Sequence, residues 1–260
     1  MHDLSVRQHA VSLLRNGCRN VEVAERCGVP VGTVARWKHA DLSRRHALPG
    51  RRPSTCLHCH GDPLDRSAYS YLLGLYLGDG YIVQPRQHRA HSLAITCDDK
   101  WPGLMNEVEH TIRLVLPNNT PCRVSRGGCH DVKVYSKHLP CYFPQHGPGK
   151  KHERPIVLAP WQQEIVTAHP WRLVRGLIHS DGCRITNWAT RTVAGATRRH
   201  EYPRYFFTNT SADIVRLFTD TLDAVGVEWK ACRRAGGAVN VSVARRASVA
   251  LLDEHVGAKW

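Results

Sequence analysis

Asp79 and Asp181 are the side chains most clearly placed to do chemistry as a pair. Each ends an apolar run and precedes a glycine: residues 71–80 read YLLGLYLGDG and residues 173–182 read LVRGLIHSDG. Small residues four apart, Gly74 with Gly78 and Gly176 with Ser180, share one face of each predicted helix and let a second backbone approach closely. Helices packed along that face bring the two aspartates together at their C-terminal ends, where the macrodipole already disfavours negative charge. Carboxylates ~4 Å apart at an effective dielectric near 20 repel by about 4 kcal/mol. An oxygen-ligated divalent cation converts that penalty into a metal site. Asp-Gly is also an ordinary helix stop, with Gly80 and Gly182 as C-terminal caps. The same spacing recurring 102 residues later favours the paired site.

The elements that would position the pair come in the same order twice. After the first motif helix the residue pattern predicts strands over 81–84 and 91–97, then a helix over 101–116 stopped by Pro117. Strands over 122–125 and 130–136 follow, joined at Gly127-Gly128, and then a short helical piece over 137–143. A stretch rich in Gly, Pro and Lys (145–155) and a helix over 160–168 lead to the second motif. Beyond it come strands over 183–188 and 203–209, separated by a polar loop (189–201) that holds Arg191, Arg198 and Arg199. A helix over 211–225, strands over 227–233 and 238–244 around Gly236-Gly237, and a helix over 245–255 complete the repeat.

Motif and order together resemble the LAGLIDADG homing endonucleases, whose family name spells the pattern found at residues 72–80 and 174–182. The resemblance implies an α+β fold in which duplicated αββαββα halves make a pseudo-twofold saddle over double-stranded DNA. It implies a monomer, because both motif copies lie in one chain. It also implies metal-dependent phosphodiester hydrolysis, with Asp79 and Asp181 as catalytic carboxylates holding Mg2+ or another divalent cation. Backbone carbonyls at Gly78 and Ser180 would assist. Many relatives add a polar group near the attacking water, for which Lys100, Lys133 and Lys230 are candidates. Leu77 and His179 stand where the motif is often acidic, but the aspartate that matters to the metal is the later one. Proteins of this fold also serve as transcriptional regulators that bind without cutting, and as RNA-splicing maturases, so those readings stay open.

Bulk properties agree with a polyanionic partner. Lys and Arg number 36 against 22 Asp and Glu, a net charge of +14, with a pI near 9.6. The first ten residues lack an apolar signal core, and no apolar run nears the roughly 20 residues of a membrane span, so the expectation is a cytoplasmic, nucleoid-associated protein with no membrane partner. Ten cysteines in such a chain read as reduced thiols.

Residues 1–42 read as a small helical domain, with three short helices between residues 5 and 39. Asn16-Gly17 would stop the first, and Gly28 would turn the chain before a third helix over 31–38. That helix carries Thr33, Arg36 and Lys38 on one side and Val34 and Trp37 on the other. The spacing resembles the DNA-binding helix-turn-helix of bacterial regulators; a helical docking cap is the alternative. Residues 43–66 form a basic linker that includes Arg44 and Arg45. Within it, Cys56 and Cys59 offer two zinc ligands or are simply reduced thiols. Cys141 and His146 are the nearest residues that could complete a site. The two halves then occupy 67–147 and 148–260. On the sheet faces left open to DNA, strand alternation nominates Lys133, Arg184, Thr186, Arg204, Asn240 and Ser242.

Overall fold

The Asp3 carboxylate accepts a hydrogen bond from the Ser5 amide (3.1 Å) and opens the first helix, α1 (Leu4–Arg15). The computed structural model describes residues 2–44, 56–61, 63–84, 90–193, 196–234 and 236–260. With α2 (Asn20–Cys27) and α3 (Val31–Arg44), α1 belongs to a unit spanning Met1–Ser54. Glu22 reaches back to the Arg19 amide (3.1 Å) at the start of α2. Gly28 adopts a left-handed φ of 63° and turns the chain toward α3. Ala10, Val23, Val29, Val34 and Trp37 form this unit's own core. Arg36 and Lys38 are exposed on α3 and Thr33 is half-buried. α3 continues past residue 38 because Asp41 faces back to α1, where Arg15 grips it through two hydrogen bonds (2.6 and 3.2 Å). Arg44 is the last residue of α3; its side chain, Arg45 and residues 46–55 lie outside the described residues.

The second unit, Thr55–Trp260, holds the duplicated fold. A short helix, α4 (Leu57–His60), precedes α5 (Arg66–Leu77), which the Asp65 carboxylate caps by accepting from the Ala68 amide at 2.8 Å. Then come β1 (Gly80–Val83), β2 (His91–Asp98), α6 (Pro102–Val115), β3 (Cys122–Arg126), β4 (Cys129–Ser136) and α7 (Leu139–Tyr142). After α8 (Pro160–Ala168) the order returns as α9 (Pro170–Asp181), β5 (Gly182–Val193), β6 (Ala196–Asn209), α10 (Ala212–Ala224), β7 (Lys230–Arg233), β8 (Val239–Val243) and α11 (Arg246–His255). The two antiparallel sheets share one strand order, β1-β2-β4-β3 and β5-β6-β8-β7. One face of each is covered by helices. Leu93, Ile95, Val132 and Val134 are buried on the first, and Tyr205, Phe207, Val241 and Val243 on the second. No helix among the described residues is long and apolar enough to cross a membrane.

Two sequence expectations fail in the second half. The polar loop expected over 189–201 is instead the outer part of one long hairpin, paired from Gly182↔Phe207 to Val193↔Ala196. A strand solvated on both faces has no apolar alternation to reveal it, and here cross-strand pairs such as Thr192 with Thr197 (3.2 Å) support it. The second failure concerns Arg184 and Thr186, expected on the open face. They share the strand phase of Gly182, which lies opposite buried Phe207, and so lie on the helix-covered side of the strand, although Thr186 stays exposed there. Arg184 there makes two hydrogen bonds to Asp253 of α11 (2.6 and 2.9 Å). The motif glycine fixes this phase, because it starts the strand against Ile178 with no room for a Cβ.

Candidate metal centre and nucleic-acid face

α5 and α9 pack backbone against backbone. A Cβ built on Gly176 would stand 2.3 Å from the Tyr71 carbonyl oxygen and 2.9 Å from the Gly74 Cα. One on Gly74 would stand 2.7 Å from the Leu173 carbonyl oxygen, and one on Gly78 only 2.0 Å from the Ser180 Oγ. Ser180 fits this seam by turning its hydroxyl inward, donating to the Gly176 carbonyl at 2.9 Å. The paired small residues therefore set the helix separation, and the helices end beside each other, α9 at Asp181 and α5 at Leu77, two residues before Asp79.

The ends are electrostatically coupled. Burial and the charge of Asp79 push the Asp181 carboxyl up to about 6, against the pull of Asn209, Lys151 and Lys259. Asn209 donates its side-chain amide to the Asp181 Oδ2 at 2.5 Å. Asp79 reaches solvent, but the protein around its carboxyl also raises its pKa, opposed by Lys259 and Lys151. Lys151, in the segment between the halves, donates to the carbonyls of Tyr76, Leu77 (3.0 Å), Gly78 and Gly80 (2.7 Å). Burial lowers its pKa to about 8, although both aspartates oppose that shift. Lys259 donates to the Ser180 carbonyl at 2.6 Å. Thus Lys151, just after the first half, and Lys259, at the end of the second, each cap carbonyl oxygen at the end of a motif helix, which no intrahelical donor can reach. Sequence reading missed both, since an ammonium group 73 residues beyond the carbonyl it caps leaves no local pattern. The lysines it did nominate are otherwise engaged or exposed. Lys133 pairs with Asp131 at 3.3 Å, and Lys100 and Lys230 are exposed.

His179 occupies the motif position matching Leu77 and is buried in the helix seam. Its Nδ1 lies 2.9 Å from the Tyr71 hydroxyl and its ring meets Trp260 edge-on. Burial first, then Arg175 and Lys259, push its pKa down to about 3. An unfolded histidine takes up a proton near pH 6.5, so acidification between those values favours the unfolded chain. In His179→Leu that slope disappears. Urea midpoints from pH 7 to pH 4 should show the variant gaining on the parent by up to about 1.4 kcal/mol per pH unit. A gap that does not change with pH would refute the assignment of a neutral buried imidazole.

The remaining nominated residues divide. On the open face of the first sheet, buried Asp131 gathers Lys133, Arg126 (2.7 Å), Tyr81 (2.8 Å) and Thr96 (2.8 Å). On the second, Arg204 and Ser242 share the open-face phase, with Arg204 against the rings of Tyr202 and Phe206. Asn240 shares that phase but is buried and accepts a hydrogen bond from Thr208 (2.7 Å), contrary to its expected exposure. The long hairpin adds exposed Arg191, Arg198 and Arg199, the last stacked 5.0 Å from the Trp188 ring centre. Cys56 and Cys59 are brought to Cys141 as expected, together with His138. His146 instead packs edge-on against His91.

No family model and no curated protein matches the sequence. Solved structures do match. Mesophilic variants of the homing endonuclease I-DmoI align over 73% of this chain and 89% of theirs, at 15% identity and a TM-score of 0.51. An I-DmoI variant in complex with its nicked target DNA in the presence of manganese aligns over 74% of this chain and 97% of its own, at 15% identity and a TM-score of 0.51. The LAGLIDADG meganuclease I-AabMI, bound to uncleaved DNA, aligns over 72% and 83%, at 12% identity and a TM-score of 0.47. With the duplicated strand order and the glycine seam between α5 and α9, the two I-DmoI alignments give the second unit the LAGLIDADG homing endonuclease fold.

Proposed function

We propose that this protein is a divalent-metal-dependent endonuclease of double-stranded DNA, acting as a monomer through Asp79 and Asp181. The observation that carries the proposal is the pair itself. A backbone-tight seam forces two carboxyls together, and the pKa of Asp181 is raised to about 6 by burial and its neighbour. Such a site resists holding both negative charges and so favours a hard cation. Asp79 and Asp181 would hold the ion, with Mg2+ the first to test. The Gly78 and Ser180 carbonyls already accept from Lys151 and Lys259, and each keeps a second lone pair for a shared ligand role. When bound, the cation supplies Lewis-acid polarisation of the phosphate and a lowered pKa for its water. Lys151, with a pKa about 8, keeps most of its proton at neutral pH and holds the carbonyls at the end of the first motif helix in place beside the pair. The arginines of the β5–β6 hairpin and the open sheet faces suit backbone phosphates, and Thr33, Arg36 and Lys38 of α3 would add a second anchor. The I-DmoI complex with nicked DNA and manganese supports DNA as the partner and a divalent metal as the ion.

One observation favours a second reading, a regulator that binds DNA through both units without cutting it. Lys151 and Lys259 set two positive charges against two carboxylates, so the site is partly neutralised from within. The test uses a supercoiled plasmid library carrying randomised inserts, incubated with Mg2+, Mn2+ or EDTA, with selected ends sequenced. The nuclease reading expects nicked or linear products that share an insert sequence in Mg2+ or Mn2+ and none in EDTA. Tight binding of one insert family with no cut strand in any metal would select the regulator.

A further inference from the structure

We propose that Cys56, Cys59, His138 and Cys141 form a structural zinc site. It is independent of the nuclease reading. One ligand atom from each residue lies within 4.8 Å of all the others. The Cys59 and Cys141 sulphurs are 3.9 Å apart, close to the edge of about 3.8 Å in a regular tetrahedron with 2.3 Å zinc–sulphur bonds. That separation is far beyond the roughly 2.05 Å of a disulfide.

The four residues arrive as two matching half-sites. Cys56 caps the N-terminus of α4 and Cys59 lies three positions on; His138 caps α7 and Cys141 lies three positions on. Each short helix thus turns its first turn toward the other, presenting one ligand from the cap and one from the turn. Such four-residue helices are far below the length at which a helix holds itself in water, so an external clamp has a structural purpose. The site is also tied to the fold. Cys56 is fully buried among core residues, and the Tyr142 carbonyl at the end of α7 accepts a 2.6 Å hydrogen bond from Tyr69 on α5. A Cys3His set of three thiolates and a neutral imidazole suits zinc in a closed tetrahedron. Bound there, the ion would staple the segment entering the first motif helix to the end of the same half.

The sequence showed the first half-site and named Cys141 of the second, but missed His138. A His-x-x-Cys pair 79 residues beyond Cys59 is visible as a partner only after β4 delivers it.

The test begins with elemental analysis of the full chain, purified under reducing conditions without chelator. The expected result is one zinc per chain, and cobalt substitution should give the intense visible bands of a tetrahedral thiolate site. Cys59→Ser and Cys141→Ser should each lose the zinc and melt several degrees lower, whereas Cys122→Ser, an exposed cysteine on β3, should keep it. A folded chain without zinc that gives no tetrahedral cobalt spectrum would overturn the proposal. So would full zinc retention in both serine variants, or a different metal as the stoichiometric occupant.

Discussion

Gly176→Ala will strip the second unit of much of its stability, because among the described glycines its added Cβ meets backbone most closely. Inserting a methylene into a packed core ordinarily costs about 1–3 kcal/mol, mostly through side chains that shift. Here the new Cβ meets the Tyr71 carbonyl oxygen at 2.3 Å, the Gly74 Cα at 2.9 Å and the Leu75 amide nitrogen at 3.0 Å, all of them backbone. No rotamer can relieve that, so α5 and α9 must separate along their length. Their separation would open the buried contacts of Tyr71, Leu75, Leu173 and Leu177, all within the core. The expected loss is about 3 kcal/mol or more, read as a large drop in urea midpoint or as failure to fold. Gly127→Ala is the matched control, because nothing lies within 4 Å of its added Cβ. Gly74→Ala combined with Gly176→Ala should cost less than the two losses added, since one separation serves both. A Gly176→Ala protein with the parent's midpoint would show that the helices do not meet at this seam.

That seam is also the part of the fold most legible in the sequence. Small residues four apart followed by Asp-Gly state a local requirement, close helix approach, and stating it twice names the partner. Strand order and the middle helices were legible for a similar reason, because hairpin glycines and apolar alternation act within a few residues. What escaped depends on contacts made at long range. The phase of β5 follows from Gly182 wedged against Ile178 rather than from its own mixed pattern, so Arg184 faces α11 instead of the open side. The outer hairpin has polar residues on both faces and reads as loop until its register is known. Lys151, Lys259 and His138 come from segments whose own sequence gives no hint of the target, and only the folded chain places them.

Asp181→Asn should do two opposite things: abolish strand cleavage and strengthen the fold. A carboxyl whose pKa rises from its ordinary 3.8 to about 6 binds protons more readily in the folded chain than in the unfolded one. Its contribution to stability is therefore present below pH 4 and is lost as pH climbs through 6. At neutral pH the ionised group opposes folding by up to about 3 kcal/mol, less to the extent that water reaches it. An uncharged amide of nearly the same shape removes that opposition, so the urea midpoint of Asp181→Asn should exceed the parent's at pH 7.5 and converge with it near pH 4. Added Mg2+ should raise the parent's midpoint and leave the variant's unchanged, because the ion stabilises only the form that binds it. Single-turnover cleavage of the selected target should fall by about 10³-fold or more, while gel-shift affinity, which the proposed function assigns to the arginines and the sheet faces, should hold. Asp79→Asn should lose cleavage as fully but gain less stability, since its residue reaches solvent. A variant that gains stability as it loses activity marks a group kept for chemistry rather than for the fold. If Asp181→Asn instead cut at the parental rate, or weakened the fold at neutral pH, the pair would be a structural polar contact and the metal centre would have to be sought elsewhere.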